Sequence, residues 1–415
     1  MVSPVAAAVA SAVGSAVTGS GSFNPLVWHA AYPDSDGVMQ AQLIGSGTPT
    51  FNVDAGLLLP DHEGVYVAIA EDTPPWHGAR WVDGVAYGTD GSGDPLDPLP
   101  SLYGAPAYTN SATYSNDLTN AVWTASNVTV AKDANGLTGA PNTACTLTAT
   151  AGNGTVIRNA ITAASGPHTT QWHIKRKTGT GTIEITVDNG TTWQDVTSLI
   201  DSSTFNECLE GLTVTNPQIG IRIVTSGDAV YVGNAACHLS KTEAQVRGSA
   251  PIITAASTVT TTAISMSYDI ANHSDEKGAY YCEWTPQYSY SEGLSRSNLI
   301  SLDNANPSIL SQWANLGATR FTSTDGSGYA HNDNSFTKGV KLKAGVSYGG
   351  SQFAVVLNGS AGTAGAYDGD YTGSSAMYLH NPAGVANQGV ALYSNIRRYN
   401  LNYTAAKAKI TELMS

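Results

Sequence analysis

Three alternating stretches decide the fold class: TIEITVD at residues 182–188, IGIRIVT at residues 219–225 and AVYVGNAACHL at residues 229–239. In each of them, β-branched apolar residues alternate with polar or small ones, which is the period of a strand with one buried and one wet face. Turn-forming pairs such as Asn189-Gly190 and Ser226-Gly227 separate the stretches. Many short strands at regular spacing predict two packed antiparallel sheets. We therefore predict an all-β protein with a jelly-roll sandwich at residues 108–247.

The strand pattern continues on both sides of this stretch. Residues 23–92 predict a small β-rich attachment domain, and the Pro/Gly segment at residues 93–107 predicts a linker, because prolines disfavour helices and central strands. Residues 248–415 predict a second sandwich. Its last residues, 404–414, predict a helix with the following N-cap and apolar side: Thr404, then Ala405, Ala408, Ile410 and Leu413. The predicted organisation is a series of antiparallel β-sandwiches.

Composition narrows the functional classes. Charged residues make up 12% of the 415 residues, and the formal net charge is −13, whereas roughly 25% charged residues is usual. Nucleic-acid binding requires a basic stripe, and the one local cluster is Lys175-Arg176-Lys177, so we expect no nucleic-acid partner. The widely spaced cysteines predict small buried apolar side chains and assembly in a reducing cytoplasm: Cys145, Cys208, Cys237 and Cys282.

Residues 1–22, MVSPVAAAVASAVGSAVTGSGS, contain small and apolar residues. The first basic residue of the chain is Arg80, so this stretch lacks the positive region of a secretory signal. It is too rich in Ala, Ser and Gly to predict membrane insertion. A valine recurs at every fourth position, which on a helix makes one narrow stripe: Val5, Val9, Val13 and Val17. We predict an N-terminal arm or helix used for attachment or oligomerisation; the alternative is a frayed terminus.

Several motifs occur in a fixed order along the chain. Trp284-Thr285-Pro286 ends a predicted strand, Asn358-Gly359 forms a predicted hairpin turn, and Glu412-Leu413 ends the predicted terminal helix. In this order they resemble the concanavalin A-like (laminin G-like) modules of tailed-bacteriophage head and tail fibre proteins. Upstream, GARWVDGV at residues 78–85 and TYSNDLTNAVWTASNVTV at residues 113–130 resemble a junction before the jelly-roll module of such proteins. The present sequence departs from that junction by its inserted linker and by Asn116, where an acidic residue is commoner.

This resemblance implies a structural protein of the virion, assembled in the host cytoplasm as a fibre, spike or collar appendage. It further implies a homo-oligomer, with a trimer favoured, which contacts other virion proteins through its N-terminal region and is not an enzyme. A receptor-binding adhesin that recognises host surface glycans through the C-terminal sandwich is the rival hypothesis. A glycan depolymerase is the third. It would need two carboxylates across one sugar bond, and we interpret the strand acids Glu184 and Glu283 as isolated and solvent-facing.

Two sets of candidate ligand-binding residues lie in the C-terminal sandwich. Aromatic rings stack on sugars, and the candidates for sugar contact are Tyr288, Tyr290, Trp313, Tyr329, Tyr367 and Tyr371. The alternative is that these rings pack at subunit or domain interfaces. Calcium is the one metal whose ligands fit the Gly-rich loops, and the candidate ligands are Asp325, Asp333, Asp368 and Asp370. The alternative is that these acids only form turns, and the spacing supports no cofactor.

Overall fold

The computed structural model describes residues 26–269, 276–292, 294, 296–302, 308–315, 318–324, 329–367, 376–380 and 389–414. Contacts divide the chain into two compact units. Unit 1 is built from described residues of Met1–Val53, Glu71–Pro106 and Ala263–Ser415, and unit 2 from Asp54–Ala70 and Ala107–Thr262. The chain therefore passes between the two units four times.

The described strands are mostly short in the first quarter of the chain. They are β1 (Leu26–Ala30), β2 (Tyr32–Pro33), β3 (Met39–Gln40), β4 (Thr50–Asn52), β5 (Leu57–Pro60), β6 (Tyr66–Ile69), β7 (Trp76–His77), β8 (Arg80–Val82), β9 (Val85–Tyr87), β10 (Ser101–Gly104) and β11 (Thr109–Asn110). The strands that follow are β12 (Trp123–Ser126), β13 (Val128–Ala134), β14 (Ala144–Ala149), β15 (Gly154–Arg158), β16 (Gly166–Thr178), β17 (Ile183–Thr186), β18 (Gln194–Asp195), β19 (Asn206–Val214), β20 (Gly220–Ile223), β21 (Ala229–Leu239) and β22 (Val259–Thr260).

The C-terminal part contains β23 (Ser265–Asp269), β24 (Lys277–Pro286), β25 (Arg296–Leu302), β26 (Ser308–Asn315), β27 (Ala318–Thr324), β28 (Tyr329–Asp333), β29 (Leu342–Gly349), β30 (Gln352–Leu357), β31 (Ser360–Ala361), β32 (Gly365–Ala366), β33 (Ala376–Leu379) and β34 (Ala391–Tyr399). The described residues form one longer helix, α2 (Tyr403–Met414), and three short helical segments: α1 (Glu243–Val246) and the 3-10 turns Thr197–Leu199 and Tyr290–Glu292. The prediction of an all-β protein is confirmed.

Unit 2 contains a β-sandwich of two antiparallel sheets. One sheet has the order β12-β15-β20-β17-β18, and the other has the order β13-β14-β21-β16-β19. Their facing sides form a core in which Trp123 of β12 meets Trp172 of β16 edge to face, with ring centroids 5.9 Å apart. The alternating stretch of β17 supplies Ile183 and Ile185 to this core. The apolar residues whose alternation predicted the sandwich are therefore the ones that fill its core.

Unit 1 is also built on two facing antiparallel sheets. Among its described residues, the first sheet runs β31-β30-β29-β24-β34-β10-β7, with β1 beside β34 and β32 beside β30, and the second runs β28-β27-β26-β25-β33-β23-β4. Trp284 of β24 packs against Phe321 of β27 with ring centroids 5.8 Å apart, and Trp28 of β1 packs against Tyr268 of β23 at 4.9 Å. These contacts between the sheets define the core of unit 1.

Strand partners in unit 1 come from distant parts of the chain. Strands β1 and β7 lie in the same sheet as the C-terminal strand β34, and β4 pairs with β23. The stretch predicted as a separate domain, residues 23–92, is therefore shared between unit 1 and the β5–β6 hairpin of unit 2. The predicted linker, residues 93–107, contains β10, whose four residues are all buried. Alternation predicts that a strand exists, but it does not predict which strand will be its neighbour.

Helix α2 packs on the outer face of the first sheet of unit 1. Its buried side chains are spaced four residues apart on one face of the helix: Ala406, Ile410 and Met414. The N-cap is Asn402, whose Oδ1 accepts a hydrogen bond from Ala405 N at 3.0 Å. The predicted cap at Thr404 was wrong, and the predicted apolar residues Ala405 and Ala408 are exposed.

The four cysteines are buried and free of disulfides, which confirms their interpretation as small apolar side chains.

The predicted N-terminal arm, with Val5, Val9, Val13 and Val17, lies outside the described residues. Of the helices that the structure describes, none is long and apolar enough to cross a membrane.

Candidate functional site

Glu283 lies on the outer face of the first sheet of unit 1, near helix α2. Its neighbour Trp284 points into the core with 0% exposure, whereas Glu283 shares the opposite face with Tyr281. The Glu283 side chain is only 13% exposed. The prediction that Glu283 is isolated and solvent-facing was therefore wrong, because residues from other strands cover this part of the sheet.

Four donors surround the Glu283 carboxylate. Lys341 Nζ donates to Oε2 at 2.7 Å, and Asn395 Nδ2 donates to Oε1 at 2.8 Å. The Tyr281 hydroxyl approaches Oε1 at 3.2 Å and the Ser394 hydroxyl approaches Oε2 at 3.4 Å. Burial alone would raise the pKa of Glu283, but the hydrogen bonds from Lys341, Asn395 and Tyr281 hold it below its ordinary value. Glu283 is thus an ionised carboxylate with donors on both oxygens.

A β-bulge aims Asn395 at this carboxylate. The register between β24 and β34 shifts so that Tyr281 faces Arg397 while Glu283 faces Ser394. Asn395 has φ of 48°, in the left-handed region that Asn tolerates better than most residues. Its backbone N–H donates to Ala31 O at 2.9 Å, one position beyond the last paired residues of β1 and β34, Ala30 and Ile396. Bulges re-aim side chains next to functional sites, and this one places Ser394 and Asn395 on the same carboxylate.

The carbonyl oxygen of Asn395 is held by two further donors. Arg397 Nε donates to Oδ1 at 2.7 Å, and His29 Nε2 lies 3.2 Å from the same atom. Burial, and then the Arg397 charge, lower the pKa of His29 to about 3, although its hydrogen bond to Asn395 acts in the opposite direction. His29 is therefore neutral near pH 7, and the tautomer with hydrogen on Nε2 donates to Oδ1.

We call these residues the amide–carboxylate cluster: His29, Tyr281, Glu283, Lys341, Ser394, Asn395 and Arg397. In it, one carboxylate binds an amine through one oxygen and a primary amide through the other. The amide carbonyl is polarised by a guanidinium and an imidazole. This combination of a nucleophile, a base, an amide and two donors to the carbonyl oxygen is the set of groups that acyl transfer requires.

The predicted sugar-contacting rings are not gathered at this cluster. Tyr288 is 1% exposed and packs against Trp284 and Phe336, with centroids 6.2 and 5.6 Å apart. Tyr367 is 4% exposed and packs against Tyr348 at 5.4 Å. The sugar-contact prediction was wrong for these two rings, because they belong to the core of unit 1. The side chains of Tyr290, Trp313 and Tyr329, and all of Tyr371, lie outside the described part of the chain.

The predicted calcium ligands are mostly outside the structure's description as well. Asp333 is an exposed residue at the end of β28 rather than in a loop. The other three acids, Asp325, Asp368 and Asp370, are not among the described residues. Within the described ranges, no group of three or more His, Cys, Asp or Glu side chains could hold a metal ion.

The second strand acid that we interpreted as solvent-facing, Glu184, is also paired. Its Oε2 accepts from Arg222 Nε at 2.5 Å, and its side chain is 15% exposed. The Arg222 guanidinium in turn lies 4.4 Å from the centre of the Trp193 ring. Glu184 therefore belongs to a structural ion pair on the sheet of unit 2.

The fold and this site define an all-β protein with two antiparallel sandwich units. No protein-family model matches the chain, and no curated protein sequence matches it. Partial similarities exist among solved structures. Trypanosoma rangeli sialidase has 14% identity and a TM-score of 0.26, and the match covers 36% of this chain and 26% of the sialidase.

Domain 4 of AbnA, a GH43 extracellular arabinanase from Geobacillus stearothermophilus solved with arabinotriose, has 16% identity and a TM-score of 0.29 over 37% of this chain and 73% of the domain. The binding domain of botulinum neurotoxin serotype D has 6% identity and a TM-score of 0.27 over 36% of this chain and 40% of that domain. Similarities this low carry no argument about the activity of the present chain.

Proposed function

We propose that this protein is a structural component of a tailed-phage particle, a homo-oligomeric fibre, spike or collar appendage attached through its N-terminal region. The observation that carries the proposal is the division of the chain into two sandwich units joined by four passages of backbone. Boundaries between domains typically fall in exposed, flexible linkers. A chain that returns repeatedly is suited to a protein whose task is to hold its modules together.

Hydrogen bonds inside each unit secure the chain next to these passages. In unit 1, Asp72 N donates to Val53 O at 3.2 Å, and Ile264 N donates to Ala105 O at 2.9 Å. In unit 2, the side chain of Asp54 accepts from Thr262 N and Oγ1 at 2.6 and 2.9 Å. The passages between Val53 and Asp54 and between Thr262 and Ile264 therefore start and end at residues that are hydrogen-bonded within their own unit. This supports a role in which the protein transmits force along the chain.

The composition supports the same role. Because only 12% of the residues are charged, copies of the chain can pack together while removing few charged side chains from water. We propose that copies of this chain associate through their sandwich units, and that the N-terminal region contacts other virion proteins. In this proposal the protein turns over no external substrate.

Light scattering of the purified full chain, and of a variant lacking residues 1–22, tests self-association. We expect a stable trimer in both cases, because the association is proposed to lie in the sandwiches. A monomer in both forms would overturn the proposal of a self-assembling appendage. A trimer that is lost on truncation would move the association to the N-terminal segment and would contradict the proposed role of the sandwiches.

A further inference from the structure

We propose that Lys341 and Asn395 form an intramolecular amide bond between their side chains, with Glu283 as the base that transfers the protons. The product is an isopeptide cross-link between the residue that precedes β29 and strand β34, on opposite sides of β24. This inference does not depend on the proposed function, because it rests on the geometry of the amide–carboxylate cluster alone.

The two reacting groups are held on the two oxygens of one carboxylate. Lys341 Nζ is 2.7 Å from Glu283 Oε2, and Asn395 Nδ2 is 2.8 Å from Oε1. The reaction requires Nζ to approach Cγ of Asn395 to roughly 3–3.5 Å. The Lys341 side chain is 36% exposed, so it has room to rotate from Oε2 towards the neighbouring amide carbon while its backbone stays at the start of β29.

The amide carbonyl is prepared for attack. Arg397 Nε and His29 Nε2 both point at Asn395 Oδ1, at 2.7 and 3.2 Å. Two donors on one carbonyl oxygen stabilise the negative charge that this oxygen gains in a tetrahedral intermediate. They also fix which end of the Asn395 amide faces Glu283, since only the NH₂ end can donate to a carboxylate.

The chemical balance closes without any external reagent. Glu283 accepts a proton from the Lys341 ammonium, and the freed amine attacks Cγ of Asn395, so that the electron pair of the C=O bond moves onto Oδ1. Glu283 then passes its proton to Nδ2 and accepts the second proton of the attacking nitrogen. The Cγ–Nδ2 bond breaks, the carbonyl forms again, and ammonia leaves with the remaining proton as ammonium. Glu283 ends as a carboxylate.

Mass spectrometry of the intact full chain tests this proposal. We expect the wild-type protein to be lighter than its sequence mass by one ammonia, and a digest to contain a branched peptide joining Lys341 to Asn395. The variants Lys341→Arg, Glu283→Gln and Asn395→Asp should each have the full mass and no branched peptide. Lys343→Arg, which changes a lysine two residues further along the chain in β29, is the matched control and should keep the cross-link.

Two outcomes would overturn the proposal. A wild-type protein with its full sequence mass after prolonged incubation between pH 6 and 9 would show that the cluster is only an ion pair with hydrogen bonds. Loss of one ammonia that persists in Lys341→Arg would show that Asn395 cyclises onto its own backbone instead. Because Lys341→Arg keeps the positive charge next to Glu283, its folding is comparable with that of the wild type, and circular dichroism checks this.

Discussion

Gly345 of β29 lies directly beneath Ile410 of helix α2. A Cβ atom at Gly345 would come within 2.6 Å of Ile410 Cγ2 and 2.9 Å of the Tyr280 carbonyl oxygen. The absence of a side chain at this position lets the helix approach the outer face of the sheet. Ile410 itself is fully buried there, together with Ala406, so the contact contributes apolar burial to unit 1.

Gly345→Ala should therefore destabilise unit 1. The added methyl group must displace either the helix or the backbone of β24, and overpacking of this kind costs about 1–3 kcal/mol. Thermal unfolding of the variant should show a lower midpoint than the wild type. Gly91→Ala is the control, because a Cβ atom there meets nothing within 4 Å. An unchanged midpoint for Gly345→Ala would contradict the close packing of α2.

Tyr288→Ala should reduce stability rather than remove a sugar-binding ring. The side chain is enclosed by Trp284 and Phe336, and truncating a large buried aromatic residue costs about 3–5 kcal/mol. Denaturant unfolding measures the loss, and Tyr288→Phe, which keeps the ring, should lose much less. A Tyr288→Ala variant with unchanged stability and weakened binding on a glycan array would restore the sugar-contact hypothesis for this residue.

The N-terminus of α2 offers a matched pair of variants. Asn402→Ala removes the side chain that caps Ala405 N, and the loss of such a cap costs roughly 1 kcal/mol. Thr404→Ala changes an exposed residue of the first turn and should stay within about 0.5 kcal/mol of the wild type. Equilibrium unfolding compares the two variants. A larger loss of stability for Thr404→Ala than for Asn402→Ala would show that Thr404, as the sequence predicts, is the cap.

Glu210 of β19 should make unit 2 less stable as the pH rises. Burial, then the charges of Asp188 and Glu243, raise its pKa from 4.5 to about 8, and its buried Oε2 has no hydrogen-bond partner. The folded state thus binds the Glu210 proton more tightly than the unfolded state does. The contribution of this proton to the free energy of unfolding is therefore complete below pH 4.5 and is lost as the pH rises to about 8.

Glu210→Gln should accordingly match the wild type in free energy of unfolding near pH 4.5 and exceed it at pH 8 by on the order of 1–3 kcal/mol. Urea unfolding at both pH values provides the comparison. Glu63→Gln, which alters a side chain that is 72% exposed, is the control and should show no such pH dependence. A wild type whose stability does not fall relative to Glu210→Gln between these pH values would contradict the raised pKa.

Local alternation predicted the strands of unit 2 because the apolar and polar residues of each strand mark its buried and its exposed face. The segment Ile183–Thr186, for example, has its isoleucines in the core and Glu184 on the other face, as the pattern requires. The same rule placed Glu283 on the outer face of its strand. Alternation does not predict which residues from elsewhere in the chain cover that face.

The amide–carboxylate cluster therefore could not be predicted from the sequence alone. Lys341 and Asn395 stand 58 and 112 positions from Glu283 along the chain. The bulge that turns Asn395 towards the carboxylate depends on a one-residue shift between two strands. Such a shift is a property of the pair of strands rather than of either sequence. The partnership of β1 with β34, and of β10 with both β34 and β7, was missed for the same reason.

The four passages of backbone between the units have a consequence for proteolysis. A single cut in any one of them leaves the other three peptide connections intact. A nicked molecule would therefore run as two fragments on a denaturing gel and still elute as one particle from a sizing column. A protein whose units are connected four times can survive a protease cut that would release a domain held by a single linker.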